Sequence, residues 1–371
     1  MRILLLAHGP SIHTRRWARA LRDRGHDLIL VTAHPSSAPE VPERVVGRPW
    51  PVAALLYVSA LGAVRREMRA FRPDVTVAHF LPNYGLLAAL SGVTPWMLAC
   101  WGSDLLINAR RSPLHRARAR YVLRRAPLIH VDAAVLAEAA IALGAQPGRV
   151  WTRAWGVDTA ALAPSGRGDG AGGEAAVGGT AGPVRILWTR QLEPIYDPEP
   201  FIRALGELKR RGVRFHATMA GDGPMRREVA AWIRKEDVAR EVTLEGFVGE
   251  ERLRALYRES EVYVSVSRSD STSQSLLEAM ASGLFPIVSD IAGNREWVTH
   301  RREGYLVPTG DKDAIACAIA EASRDPERGA IRARAREKVM AKGSFADTLD
   351  QLEARLTALA SLPAASARRE P

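Results

Sequence analysis

The part of the chain richest in reactive side chains is Ser267–Glu278, which reads SRSDSTSQSLLE and runs on into AMASG. Ser271, Thr272, Ser273 and Ser275 crowd the point where an apolar run, Val262–Val266, gives way to a helical pattern that stops at Gly283. A helix that starts there presents unpaired backbone N–H groups and the positive end of its dipole, a cradle suited to a diphosphate. Asp270 stands before that helix and Glu278 on its first turns. Beside a phosphate site a carboxylate serves to accept hydrogen bonds from ribose or sugar hydroxyls, as the acidic residue of dinucleotide folds does. The competing reading is a serine-rich N-cap followed by a solvated glutamate. Near the start of the chain, Gly9 follows the first apolar run and lets backbone approach a ligand closely. A single glycine is not the G-x-G-x-x-G fingerprint, which argues against a nicotinamide dehydrogenase. Asp311-Lys312-Asp313 has the D-x-D spacing of some divalent-metal sites. It opens a helical pattern with no His or carboxylate cluster nearby, so N-capping is the favoured role and no metal or other cofactor is expected.

These groups need a scaffold, and the apolar pattern supplies one. Runs at Ile3–Ala7, Leu28–Thr32, Val75–His79, Trp96–Trp101 and Leu128–Val131 alternate with amphipathic stretches at Thr14–Arg24, Val52–Ala70, Pro82–Leu90, Pro113–Arg125 and Ala133–Leu143. The rhythm resumes with runs at Val184–Thr189, Phe215–Ala220, Val242–Glu245, Val262–Val266, Phe285–Ser289 and Tyr305–Val307. Helices are expected between them at Phe201–Arg211, Pro224–Lys235, Glu250–Glu259, Ser275–Ser282 and Asp313–Ala322. Strands alternating with long helices predict an α/β protein of two doubly wound, Rossmann-like domains. Pro164–Pro183, PSGRGDGAGGEAAVGGTAGP, has almost nothing to bury and reads as a linker or exposed loop. The expected organisation is a first domain over 1–163, the linker 164–183, a second domain over 184–345, and a C-terminal helix and tail over 346–371, the helix crossing back to the first domain. Ligands of such sheets bind at the carboxyl ends of the strands, so the site is expected in a central cleft that the two domains face.

The second-domain motifs resemble those of the retaining family-four glycosyltransferases, which have the GT-B fold. The likeness rests on Asp270, seven residues, then Glu278 followed by Ala279-Met280-Ala281-Ser282-Gly283, which matches the family's E-x7-E motif. Ala220-Gly221-Asp222-Gly223-Pro224 resembles its G-x-G-P turn, and Gly246-Phe247-Val248 the loop that holds the nucleotide base through backbone contacts. Gly293-Asn294 with Glu296, Gly304–Pro308, His13–Trp17 with Gly25-His26, and Trp155–Asp158 add to it. The resemblance implies a nucleotide-sugar donor bound by Gly9, Arg190, Tyr196, Gly221, Gly223, Phe247, Val248, Glu278 and the stretch Thr272, Ser273, Gln274, Ser275 and Leu276. In it Glu278 takes the ribose, Asp270 the sugar hydroxyls and Arg190 the diphosphate. Three departures stand out. Asp270 replaces the usual Glu; Ile195 and Tyr196 stand where a Lys is usual; and the usual first-domain His is replaced near Trp101-Gly102-Ser103-Asp104. Asp104 or His79 would then meet the reacting acceptor hydroxyl, with His13 and Arg15 on the same acceptor side.

Composition sets the outer bounds. At 371 residues, 47% hydrophobic and 25% charged, the chain is a globular protein of about two domains. Cys100 and Cys317 make no disulfide scaffold and suit a reducing compartment. No window of about 18 apolar residues predicts a transmembrane helix, and Met1–Ala7 is too short for a signal peptide. The expected location is cytoplasmic, peripheral at the inner membrane face. The net charge of +11 lies wholly in residues 1–165, with 21 basic against 10 acidic residues, while 166–371 hold 31 of each. With no recognised module or aromatic platform for nucleic acid, the favoured partners are an acidic or lipid-linked hydroxyl acceptor and an anionic membrane surface. Arginine-rich composition is the competing explanation. The function that the resemblance implies within these bounds is metal-independent, retaining transfer of a sugar in polysaccharide, glycolipid or glycoconjugate synthesis. The alternatives are a nucleotide-sugar epimerase and a catalytically weak nucleotide-sugar binding protein.

Overall fold

The structure, a computed structural model, describes residues 1–47, 59–93, 95–164 and 182–362. The chain divides into two compact units, Met1–Ala154 with the chain from Asp347 onward, and Trp155–Ala346.

The first unit is built on a seven-stranded parallel sheet ordered β3-β2-β1-β4-β5-β6-β7. Its strands are β1 (Arg2–Leu6), β2 (Asp27–Thr32), β3 (Glu43–Val45), β4 (Val75–His79), β5 (Trp96–Ala99), β6 (Leu128–Val131) and β7 (Val150–Thr152). The central strands are buried and largely apolar because helices cover both faces of a parallel sheet. Helix α1 (Ile12–Asp23) shows the pattern that covers them, burying Thr14, Trp17, Ala18 and Leu21 along one stripe. Helices α2 (Leu61–Phe71), α3 (Leu86–Ser91), α4 (Ser103–Leu106), α5 (Pro113–Arg125) and α6 (Ala134–Ala142) complete the cover. The short strands β3 and β7 escape sequence reading because three residues are too few to carry a periodic signal. The stretch expected to be helical over Pro82–Leu90 opens instead as a π-turn, Phe80–Gly85, with Phe80 in the left-handed region at φ 70°. Of the helix expected at Val52–Ala70, residues 52–58 lie outside the described residues.

The second unit holds a six-stranded parallel sheet ordered β10-β9-β8-β11-β12-β13. Its strands are β8 (Val184–Trp188), β9 (Phe215–Ala220), β10 (Val242–Gly246), β11 (Val262–Ser265), β12 (Phe285–Ser289) and β13 (Tyr305–Val307). Helices α7 (Pro198–Arg210), α8 (Arg226–Lys235), α9 (Glu250–Glu259), α10 (Gln274–Ala281), α11 (Ala292–Trp297), α12 (Lys312–Ala322) and α13 (Arg328–Lys342) pack around it. In both sheets the strand order reverses beside the first strand, between β1 and β4 and between β8 and β11, the switch points where such folds bind ligands.

The boundary between the units falls at Ala154–Trp155, ahead of the Gly/Ala-rich stretch, of which 165–181 lie outside the described residues. Backbone pairing explains the shift. Val157 donates to Gly343 O at 2.8 Å and accepts from Phe345 N at 2.9 Å, and Gln274 Nε2 donates to Gly156 O at 2.6 Å. Helix α14 (Phe345–Ala360) then carries the chain into the first unit. Its Glu353 accepts from His26 Nε2 at 2.6 Å and pairs with Arg24, and Thr348 donates to Ala154 O at 3.0 Å.

Two consequences can be measured. Gly156 sits at φ 79° with any Cβ within 2.8 Å of Ser344 and Phe345 backbone. Gly156→Ala is therefore expected to destabilise the protein by about 2 kcal/mol, seen as a lower urea midpoint. In the first unit His79 closes β4 and His130 lies within β6, both buried around Trp17 at ring separations of 5.3 and 5.6 Å. Burial holds His79 near 3 and His130 near 4, against 6.5 for exposed imidazole. The unfolded chain therefore binds more protons below pH 6.5, and stability falls as pH drops toward these values. At pH 5 each group is expected to cost about 2 kcal/mol, partly offset by Asp104, whose shift runs the other way. Thermal midpoints that stay flat from pH 7 to 5 would contradict this.

Candidate functional site

In an all-parallel sheet every strand ends on the same edge, so the segments after β8, β9, β10 and β11 gather along one side of the second unit. Arg190, two residues beyond β8, is the centre of what assembles there. Its guanidinium donates to Asp270 Oδ2 at 2.6 Å, to Ser273 Oγ at 2.7 Å and to Ser275 Oγ at 3.1 Å, and stacks 4.1 Å from the Tyr196 ring. The side chain is only 10% exposed, and its Nε has no hydrogen-bond partner among the described residues. Burial opposes its charge, yet Asp270 and the surrounding tyrosines raise its pKa, so it remains a cation.

Around this centre lies a hydroxyl network. Tyr263 and Ser275 share a 2.7 Å hydrogen bond, and Tyr257 donates to Glu278 Oε2 at 3.0 Å. Burial and the Glu278 charge push the Tyr257 phenol up, which keeps it a donor. Ser273 caps α10 by accepting from the Leu276 amide at 3.3 Å. The loop that carries Asp270 is pinned from behind. Ser289 Oγ donates to Ser267 O at 2.6 Å, Asn294 Nδ2 donates to Ser289 O at 2.8 Å, and Arg268 N donates to Ile195 O at 2.9 Å.

Each residue singled out from sequence has a place. Arg190, Tyr196, Asp270, Ser273, Ser275 and Glu278 come together. Thr272 is buried, with its hydroxyl 3.4 Å from Trp297 Nε1. Gly221 and Gly223 lie against the Arg190 and Leu192 backbone so closely that no side chain fits, and Leu192 N donates to Asp222 O at 3.0 Å. They shape the loop that presents Arg190. Gly246 pairs with Ala220 in the sheet, which puts Phe247 and Val248 on the same edge, with the Phe247 ring 85% exposed. Two assignments are corrected. Gln274 spends its amide on Gly156 O, and the Leu276 side chain is wholly in the core with its N–H taken by the Ser273 cap. Asp311 caps α12, accepting from Asp313 and Ala314 amides at 3.0 and 2.9 Å. Tyr257 and Tyr263 carry no signal in the sequence, because nothing in a lone tyrosine on a helix or strand marks it as part of a site.

The first-unit residues assigned to an acceptor are mostly structural. Asp104 is fully buried and accepts from the amides of Leu81, Trp101 and Leu105 at 3.1 Å each. Burial raises its pKa to about 6 against those hydrogen bonds. It organises the turns after β4 and β5, and these amides occupy its carboxylate in this structure. His79 is buried and lies edge-on to Trp101 at 5.8 Å. His13 packs on the same ring at 5.6 Å and, by burial first and Arg16 second, is held near 4. Arg15 pairs with Glu40 at 3.1 Å. The Gly9 amide donates to His34 O and Thr32 Oγ1, both at 3.2 Å, so the glycine serves loop packing.

A family model described as Glycosyl transferase 4-like matches residues 2–133, and one described as Glycosyl transferases group 1 matches residues 180–339. The chain is 28% identical over 281 residues to the putative colanic acid biosynthesis glycosyltransferase WcaL of Escherichia coli, a stretch spanning 72% of this chain and 66% of that protein. It is 25% identical over 345 residues to a GDP-mannose-dependent alpha-mannosyltransferase of Mycobacterium tuberculosis, spanning 85% and 84%. Among solved structures, Anabaena Alr3699/HepE in complex with UDP aligns over 97% of this chain and 100% of its own, with a TM-score of 0.79 at 16% identity. One matched model lies on each parallel-sheet unit, and the chain belongs to the family-four glycosyltransferases of the GT-B fold.

Proposed function

We propose that the protein transfers a sugar from a nucleotide-sugar donor to a hydroxyl acceptor, with retention at the anomeric carbon and without a metal ion. The observation that carries this reading is the buried Arg190, held by Asp270, Ser273 and Ser275 at a helix amino terminus on a switch-point edge. A fixed guanidinium beside a positive helix end suits a diphosphate leaving group, whose charge grows as the sugar–phosphate bond breaks. In this scheme the C1–O(phosphate) bond breaks as the bond from C1 to the acceptor oxygen forms. The acceptor proton passes to a diphosphate oxygen, and arrival on the leaving-group face gives retention. Glu278, oriented by Tyr257, takes the ribose hydroxyls, and Asp270 reaches toward those of the sugar. Structural neighbours solved with UDP and with UDP-glucose, and the GDP-mannose-dependent relative, support a nucleotide diphosphate sugar as donor. The WcaL relatives support a role in polysaccharide or related glycoconjugate synthesis.

The test begins with thermal shifts for UDP-, GDP-, ADP- and CMP-sugars, since a ligand that binds the folded state raises the melting temperature, and continues with transfer assays on the sugars that bind. Glu278→Gln and Arg190→Ala are each expected to lower transfer by about tenfold or more, the scale of a lost charge-assisted hydrogen bond, with the fold retained. Undiminished transfer in either variant rejects the assignment. A product of altered sugar stereochemistry from donor alone indicates an epimerase, and donor binding without turnover across a broad acceptor panel indicates a binding protein.

Tyr196 gives a second, independent check. Its ring carries the guanidinium, so Tyr196→Phe is expected to keep most of the activity while Tyr196→Ala loses about thirtyfold, the scale of a desolvated cation–π contact. Equal losses in both variants would instead assign the work to the hydroxyl.

A further inference from the structure

Residues 105–131 contain seven arginines and no carboxylate. In the second unit arginines are mostly neutralised in place, as by Glu207 for Arg210 and Arg211 and by Glu245 and Glu259 for Arg252. Arg110, Arg111 and Arg116 differ: all three are exposed, and none forms an ion pair among the described residues. They line one cavity of about 630 Å³ in the first unit, together with Leu105, Ala139 and Leu143. Leu105 and Leu143 are buried, so the cavity has an apolar floor and a cationic mouth. It sits at the amino-terminal end of α5, whose first turn has no acidic residue to complement the helix dipole.

The surroundings are apolar where water would ordinarily exclude it. Of eight large apolar side chains exposed in the described residues, three belong to the segments that form this cavity: Leu114 at 77%, Ile107 at 47% and Ile141 at 40%. Unpaired guanidinium groups beside exposed aliphatic side chains match a surface that is anionic outside and hydrocarbon within. Guanidinium groups bind phosphate oxygens two at a time, and aliphatic side chains enter the headgroup boundary. Among the described residues no helix is long and apolar enough to cross a membrane, so contact through this face would be peripheral.

We propose that this face of the first unit, centred on Arg110, Arg111, Leu114 and Arg116, docks on an anionic phospholipid bilayer, with lipid phosphates at the mouth of the cavity. The surface works independently of the transfer chemistry, and its failure leaves the donor site untouched.

The full-length protein is sedimented with phosphatidylglycerol vesicles and with phosphatidylcholine vesicles at low ionic strength. Binding to the first and not the second is expected. Each arginine near an anionic surface is worth about fivefold in partitioning, so joint reversal by Arg110→Glu, Arg111→Glu and Arg116→Glu is expected to lower binding by well over tenfold. The same charge change made elsewhere in the unit, by Arg69→Glu, Arg72→Glu and Arg149→Glu, is expected to cost much less. Leu114→Ser, which leaves the charge intact, is expected to weaken binding several-fold and decides the matter alone if the triple variant does not fold. The proposal is overturned by equal losses in the two triple variants, by unchanged binding of Leu114→Ser, or by no binding to phosphatidylglycerol. It is also overturned if inorganic phosphate releases the protein where chloride of equal ionic strength does not, which assigns the cavity to a free anion.

Discussion

A buried cation constrains everything around it, because removing a guanidinium from water is costly unless its charge and its donors are matched. Arg190 is that constraint in the second unit. Asp270 supplies the opposite charge, Ser273 and Ser275 supply acceptors, and the Tyr196 ring closes one face. Tyr196, Asp270 and the Ser273–Ser275 pair come from separate segments, so meeting the needs of one side chain fixes the end of β8, the turn before α7, the loop after β11 and the start of α10. The bond from Ser289, itself held by Asn294, to Ser267 in the loop behind Asp270 extends the same requirement to the neighbouring strand. A site preorganised in this way needs little rearrangement when charge develops on a leaving group, which is where electrostatic catalysis gains most.

The first unit solves a different problem. Its carboxyl edge is lined by aromatic rings and by imidazoles that burial keeps neutral, while Asp104, also buried, ties two turns together through backbone amides. Charge is held away from that edge and toward the surface, in arginines that have few acidic neighbours. The two halves of the sequence differ in net charge, and the structure gives the difference a form: ion pairs for most arginines in one unit, and in the other an acid-free stretch along α5.

How much of this was legible beforehand depends on the kind of signal. Strands such as Val75–His79 and Phe285–Ser289 are visible to the residue, because a strand buried on both faces is largely apolar along its length. β3 and β7, three residues each at sheet margins, are not. Asp270 and Glu278 stood out by spacing around a helix start, and Arg190 through the resemblance, yet the hydrogen bonds joining Arg190 to Asp270 span 80 residues of sequence. Tyr257 and Tyr263 left no trace at all. A carboxylate after a strand, such as Asp104, looks the same from the sequence whether it faces a substrate or accepts the amides of its own turn.

The sequence alone determined the alternation of strands and helices, the two-domain organisation, the family motifs and the uneven charge, since these follow from local composition and periodicity. Tertiary structure decided which polar groups share a site and which are consumed by the fold. It turned Asp104, Gln274 and Gly9 to structural tasks, moved the boundary to Ala154–Trp155, and set Tyr196 beneath Arg190. The physical reason is that burial and hydrogen-bond partnership are properties of neighbours distant in the chain, and no local pattern encodes them.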